Sequence, residues 1–133
     1  MLDRDAKPDI AIALHPQTGR SSDQDEYDLE EVVGLTEALG VSVAEANIVP
    51  MREIHVGKFF GGGKIDEIKA AINAHSATMV IVNAALSPIQ QRNLERVWDV
   101  KVIDRTGLIL EIFGIRAATK EGRLQVEMAR LGY

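Results

Sequence analysis

Short, nearly continuous apolar blocks alternate along this chain with longer stretches in which apolar residues recur every three or four positions. The first pattern belongs to buried strands and the second to helices packed against them. Asp9 to Leu14 is the first block, closed by His15-Pro16. Gln17 to Asp28 is polar and acidic, so the reading places a flexible loop within 8–28. Asp28, with Glu31 three residues later, predicts a capping box. The helix it opens carries Leu29, Val32, Val33, Thr36 and Leu39 on one face, and Gly40 stops it. Val41 to Val49, ended by Pro50, is a second strand. Gly61-Gly62-Gly63 reads as a flexible turn before a helix that Lys64 begins, with Ile65, Ile68 and Ile72 on one side. Thr78 to Val82 is a third strand, apolar enough to be covered on both faces. Ser87, Pro88 and Gln90 predict a capped helix start that turns Leu94, Val97 and Trp98 inward. Val100 to Ile103 is the fourth strand.

Four strands alternating with helices predict an α/β fold, a single layer of about four parallel strands with flanking helices, because parallel neighbours need crossover connections. The strand order is not encoded in this pattern. The α/β domain occupies 1–105 and a helical extension follows over 106–133. Leu108, Ile109, Leu110, Ile112, Phe113 and Ile115 make that extension too apolar for a one-sided surface helix, and a second helical stretch carries Leu124, Met128 and Leu131. Nothing after it returns to the sheet. The extension is therefore expected to continue in a longer protein or to meet a second copy, giving a homo-oligomer through the last helix.

Composition narrows this picture little. The 133 residues fit one domain, and the absence of cysteine excludes disulfides, thiolate metal sites and cysteine nucleophiles. No apolar run approaches the roughly 20 residues needed to span a bilayer, and the first residues lack a signal-peptide core; a cytoplasmic protein is expected. Charge is more informative. The net −5 divides into 11 acids and 3 bases over 1–50 against 9 acids and 12 bases over 51–133. That asymmetry points to a polyanion-facing second half, although a surface of +3 is also ordinary.

Candidate chemistry is sparse. Gly61, Gly62, Gly63 and Lys64 are a candidate anion-binding loop, since backbone N–H groups at a helix start attract anions. They are not a P-loop, because Lys58 stands where the first glycine belongs and Ile65 where the magnesium-binding hydroxyl belongs. A flexible turn that lets the chain approach its neighbour is the plainer explanation. Arg92 and Arg96 lie one helical turn apart, a spacing suited to successive phosphates; pairing of Arg92 with Glu95, or of Arg96 with Asp99 or Asp104, explains them equally. Asp104-Arg105-Thr106 ends the fourth strand, where Asp104 can orient Arg105 or Thr106 can cap a helix. His15, His55 and His75 have no metal-ligand spacing and read as surface or loop residues. No catalytic constellation and no metal site are expected.

Four stretches carry a family resemblance: Phe59 to Lys64, Leu86 to Glu95 (LSPIQQRNLE), Val102 to Leu110 (VIDRTGLIL) and Glu121 to Ala129 (EGRLQVEMA). In order and spacing they resemble the N-terminal region of the HflX family of translational GTPases, with Phe59 in place of a more usual tyrosine and Gly62 at a usually polar position. The resemblance implies an N-terminal α/β domain followed by a helical hairpin, of which this chain holds the first part, and then a GTPase domain. It implies partners as well: the large ribosomal subunit with its rRNA, and the protein's own GTPase domain. It further implies ribosome splitting under stress. GTP and magnesium would belong to the GTPase domain, and no cofactor is expected in this chain, which contains no GxxxxGK[ST] and no NKxD and is expected to have no GTPase DxxG after a strand. On this reading Lys64, Arg92, Arg96, Arg105, Lys120 and Arg123 are the candidate rRNA contacts. The alternative is a small phosphate- or nucleotide-binding sensor domain built on the glycine run.

Overall fold

The computed structural model describes the backbone of residues 8–130 and the side chains of 8–117. The chain runs β1 (Ile10–Gln17), α1 (Asp23–Ala38), β2 (Ser42–Pro50), α2 (Gly62–His75), β3 (Met79–Val82), α3 (Pro88–Trp98), β4 (Lys101–Asp104) and α4 (Arg105–Arg130). The four strands form one parallel sheet in the order β2-β1-β3-β4, the expected α/β architecture.

Strict alternation along the central strands divides the helices between two faces. Ile12, Leu14, Val80, Val82 and Val102 point to one side and pack with Ile65, Ile68 and Ile72 of α2 and with Leu94 and Trp98 of α3. Ala11, Met79, Ile81 and Ile103 point to the other and meet Val32 of α1 and Leu108 of α4. The chain leaves β1 for one face and β3 for the other. The gap between the C-terminal ends of these neighbouring strands is thus the topological switch point, where open α/β sheets form crevices.

Three local features depart from the sequence expectations. β1 continues through His15-Pro16 instead of stopping before them. The odd-numbered residues Asp9 and Gln17 bond towards β2, while Ile10 and Leu14 bond towards β3. Pro16 shares the side of Leu14, but β3 has already ended opposite Leu14, so the missing N–H leaves no gap in the ladder. Secondly, α1 begins at Asp23, well before Asp28, so the connection is residues 18–22. Its N-cap is Ser22, whose N–H donates to the Asp25 carboxylate at 3.1 Å. Thirdly, α4 is one uninterrupted helix through Gly107 and Gly114. Leu108 is buried and Ile112 packs on the same cluster, whereas Ile109, Leu110 and Phe113 are exposed. Leu124, Met128 and Leu131 lie outside the residues whose side chains are described.

Candidate functional site

Parallel strands followed by helices bring the starts of all four helices to one edge of the sheet. Every described basic residue singled out in the sequence lies on the helices that begin there, yet their environments differ.

α2 begins at Gly62 with Gly61 as its N-cap, so the glycines form a first helical turn and not a flexible one. None of the three has a positive φ, and a Cβ at Gly62 or Gly63 would meet nothing within 4 Å. Lys64 forms an ion pair with Glu67 in the next turn. The cation of the candidate anion loop therefore already has a carboxylate partner.

α3 starts as predicted. Ser87 accepts from the Gln90 N–H at 3.1 Å, Gln90 Oε1 accepts from the Ser87 N–H at 2.8 Å, and Pro88 stands in the first turn. The remaining polar residues of this run hold neighbouring segments. Gln90 Nε2 donates to the His55 carbonyl at 2.8 Å, and Asn93 Nδ2 to that of Gly57 at 2.9 Å. Gln91 Nε2 donates to the Val102 carbonyl at 2.9 Å, while Glu95 accepts from the Val102 N–H at 3.1 Å. One face of α3 thus fixes the loop ahead of α2 and the start of β4.

Arg92 and Arg96 sit on the rest of the helix, exposed. Neither joins an ion pair among the described residues. The internal partners do not take them up, and Asp99 forms no ion pair with Arg96. Glu95 is bound to β4, and both oxygens of Asp104 are taken by the N–H groups of Leu86 at 3.0 Å and Gly107 at 2.8 Å. Asp104 is therefore the side-chain cap of α4. Contrary to the expected absence of such a motif, Asp104-Arg105-Thr106-Gly107 spells DxxG directly after a strand; its aspartate is committed to capping.

Arg105 is spent differently. It donates to Asn83 Oδ1 at 3.1 Å and to Glu31 Oε1 at 3.3 Å. Lys120 and Arg123 lie on α4 beyond the described side chains.

Asn83 leads to a polar network at the switch point that the sequence did not reveal. Its Nδ2 approaches His15 Nδ1 at 3.0 Å, and His15 Nε2 meets Asp25 Oδ1 at 3.0 Å. Gln17 donates to the other Asp25 oxygen at 3.0 Å. A guanidinium can only donate, so Asn83 must present Oδ1 to Arg105 and its NH₂ to His15. His15 accepts at Nδ1 and donates from Nε2 to Asp25. Hydrogen bonds from His15 and then Gln17 hold the Asp25 carboxyl below its ordinary value. His15 is buried at the end of β1 instead of lying on a loop; His55 and His75 are exposed, as expected. The signal for this network was the polar residues directly after two apolar strands, but His15 and Asn83 are 68 positions apart.

Among the described residues no three metal-ligating side chains converge, and no helix is long and apolar enough to cross a membrane. A recess of about 310 Å³ lies between β2 and α2, and a wider one of about 480 Å³ opens past the end of β2 between Met51, His55 and Gly61. Lys64 and Glu67, paired with each other, stand on the rim of the first.

Comparison with known proteins decides the family. A family described as "GTP-binding GTPase N-terminal" matches residues 26–114. The GTPase HflX of Escherichia coli is 43% identical over 131 residues, covering 98% of this chain and 30% of that protein. The GTPase HflX of Magnetococcus marinus is 42% identical, covering 100% of this chain and 31% of its own length. This chain belongs to the HflX GTPase N-terminal family. A crystal structure of a GTP-binding protein from the archaeon Sulfolobus solfataricus in complex with GDP superposes with a TM-score of 0.62 at 26% identity, over 94% of this chain and 36% of that one. The chain thus spans about a third of these relatives, and the GTPase domain of HflX proteins lies outside the part it matches. The polar run that carried the HflX resemblance is now accounted for: Ser87, Gln90, Gln91, Asn93 and Glu95 join α3 to the loop before α2 and to β4, leaving its arginine to solvent.

Proposed function

We propose that this domain docks an HflX-type GTP-binding protein on the large ribosomal subunit, with the outer face of α3 towards rRNA, and so contributes to splitting ribosomes under stress. The observation that carries the reading is the unspent charge of Arg92 and Arg96, two exposed guanidiniums one turn apart. Every carboxylate within reach by sequence is engaged elsewhere or left unpaired with them, and guanidiniums free of internal partners are available to phosphates. The domain supplies binding; GTP hydrolysis, with its magnesium, belongs to the GTPase domain of the whole protein, and that domain is the intramolecular partner.

The test places Arg92→Glu and Arg96→Glu together in the full-length protein and measures co-sedimentation with purified large subunits over a salt series. Each phosphate contact contributes roughly 0.7–0.9 to the slope of log affinity against log salt. The double variant should bind more weakly and lose about one to two units of slope. Unchanged affinity with an unchanged slope would show that this face of α3 meets solvent in the complex.

A further inference from the structure

The loop ahead of α2 is built more rigidly than a connection requires. The chain reverses over Val56, Gly57 and Lys58, with His55 and Phe59 exchanging both backbone hydrogen bonds at 3.0 Å. Phe59 takes a left-handed conformation, φ 66°, which bulky side chains rarely adopt. Its buried ring stacks edge-on against Phe60 at 5.0 Å, and Phe60 meets Trp98 at 6.2 Å. Gln90 and Asn93 clamp the loop from α3 through the carbonyls of His55 and Gly57. A left-handed phenylalanine and two side-chain clamps fix one loop shape, and such local strain concentrates where a shape is used.

That fixed shape presents apolar side chains outward. Val56, at the tip, is 86% exposed, Ile54 is 51% exposed, and Ile89 beside the clamp is 60% exposed. Three cations lie on the same loop and helix, and the nearby Glu53 carboxylate pairs with His55 at 3.4 Å. Lys58 is in the tip itself, and Arg92 and Arg96 follow Ile89 along the same side of α3 at helical spacing. None of these three joins an ion pair among the described residues. Three separate aliphatic side chains are too little for the apolar centre of a stable protein interface, which takes some 800 Å² from each partner. Aliphatic groups flanked by cations that join no ion pair match a nucleic-acid strand, where phosphates take the charges and an unstacked base offers an apolar face.

The geometry points to the 54–58 loop, with Ile89 and the arginines of α3, as a recognition tip for unpaired RNA: Val56 packs against an exposed base while Lys58, Arg92 and Arg96 hold the flanking phosphates. The inference rests on the rRNA-facing reading of α3 and adds the kind of RNA that this face selects.

Fluorescence anisotropy tests it with the 133-residue chain, a labelled 12-nucleotide single-stranded RNA and a 12-base-pair duplex RNA. The single strand should bind at least about fivefold more tightly than the duplex. Val56→Ser keeps every charge and changes a side chain that supports no core, so the fold should persist by circular dichroism. It should abolish the preference for single strands and leave duplex affinity alone, whereas Lys58→Ala should weaken both. Equal binding of strand and duplex by the parent chain, or a preference that survives Val56→Ser, would overturn the tip. So would absence of any RNA binding. None of those results alters the co-sedimentation comparison of the arginine double variant, so failure of the tip and failure of the docking reading remain separable.

Discussion

Arg105 and Arg92 stand near the same edge of one sheet, and the fold treats them in opposite ways. Arg105 lies on the face shared with α1, whose 16 residues include seven acids and no base. Its guanidinium is drawn into Glu31 and Asn83, and through Asn83 to His15 and Asp25. Arg92 lies on the other face, where the carboxylate of Glu95 is turned inward to β4 and the amides of α3 hold the loop before α2. On the first side polar groups are consumed in tying β1, α1, β3 and α4 together. On the second, amides do the structural work and the cations are left over. A charge count over the chain cannot separate these cases, because it does not register which carboxylates the backbone has already claimed.

The sharpest way to break the comparison is Asn83→Ala. Asn83 is buried, and its loss leaves His15 Nδ1 without a donor and Arg105 Nη1 without an acceptor, Glu31 remaining as the partner of Nη2. Leaving such groups unpaired should cost about 1–3 kcal/mol of unfolding free energy, read as a lower urea midpoint at unchanged slope. A variant as stable as the parent would show that the network is ornamental and that the two sides are less different than they look.

On the second side, Gln90→Ala removes both the reciprocal cap of α3 and the bond to His55. A loss of about 1 kcal/mol is expected, with faster amide exchange over residues 55–59. Unchanged exchange there would mean that Asn93, Phe59 and Phe60 hold the loop without Gln90.

The third prediction concerns acid. The Asp25 carboxyl titrates below its ordinary value because His15 and Gln17 donate to its charged form. A group depressed on folding adds stability that is fully present above its unfolded value and is lost as pH falls through the folded one. The stability difference between the parent and Asp25→Asn should therefore be full at neutral pH and shrink below about pH 4. A difference that stays constant from pH 7 to pH 3 would contradict the assignment.

The smallest effect is expected where function is proposed. Arg92→Ala and Arg96→Ala together should change stability by no more than about 0.5 kcal/mol, since both are exposed and outside the ion pairs of the described residues. A loss beyond 1 kcal/mol would mark them as structural, like Arg105.

The sequence by itself determined the element types, because strand and helix periodicity and the Ser87-Pro88-Gln90 cap are local signals that survive folding unchanged. It also carried the family, whose polar run is contiguous along α3. It misplaced the start of α1, because the acids of residues 23–28 look solvent-seeking until Asp25 is seen bound to His15 and Gln17. It read Gly61–Gly63 as a turn, because glycine is permissive in both conformations and the helix past Gly61 is set by the packing of Ile65, Ile68 and Ile72. Strand order, the switch-point network and the choice between spent and unspent arginines were decided only in three dimensions. Each depends on pairing groups tens of residues apart, and the free energy of a polar contact is fixed by what else competes for the same partner.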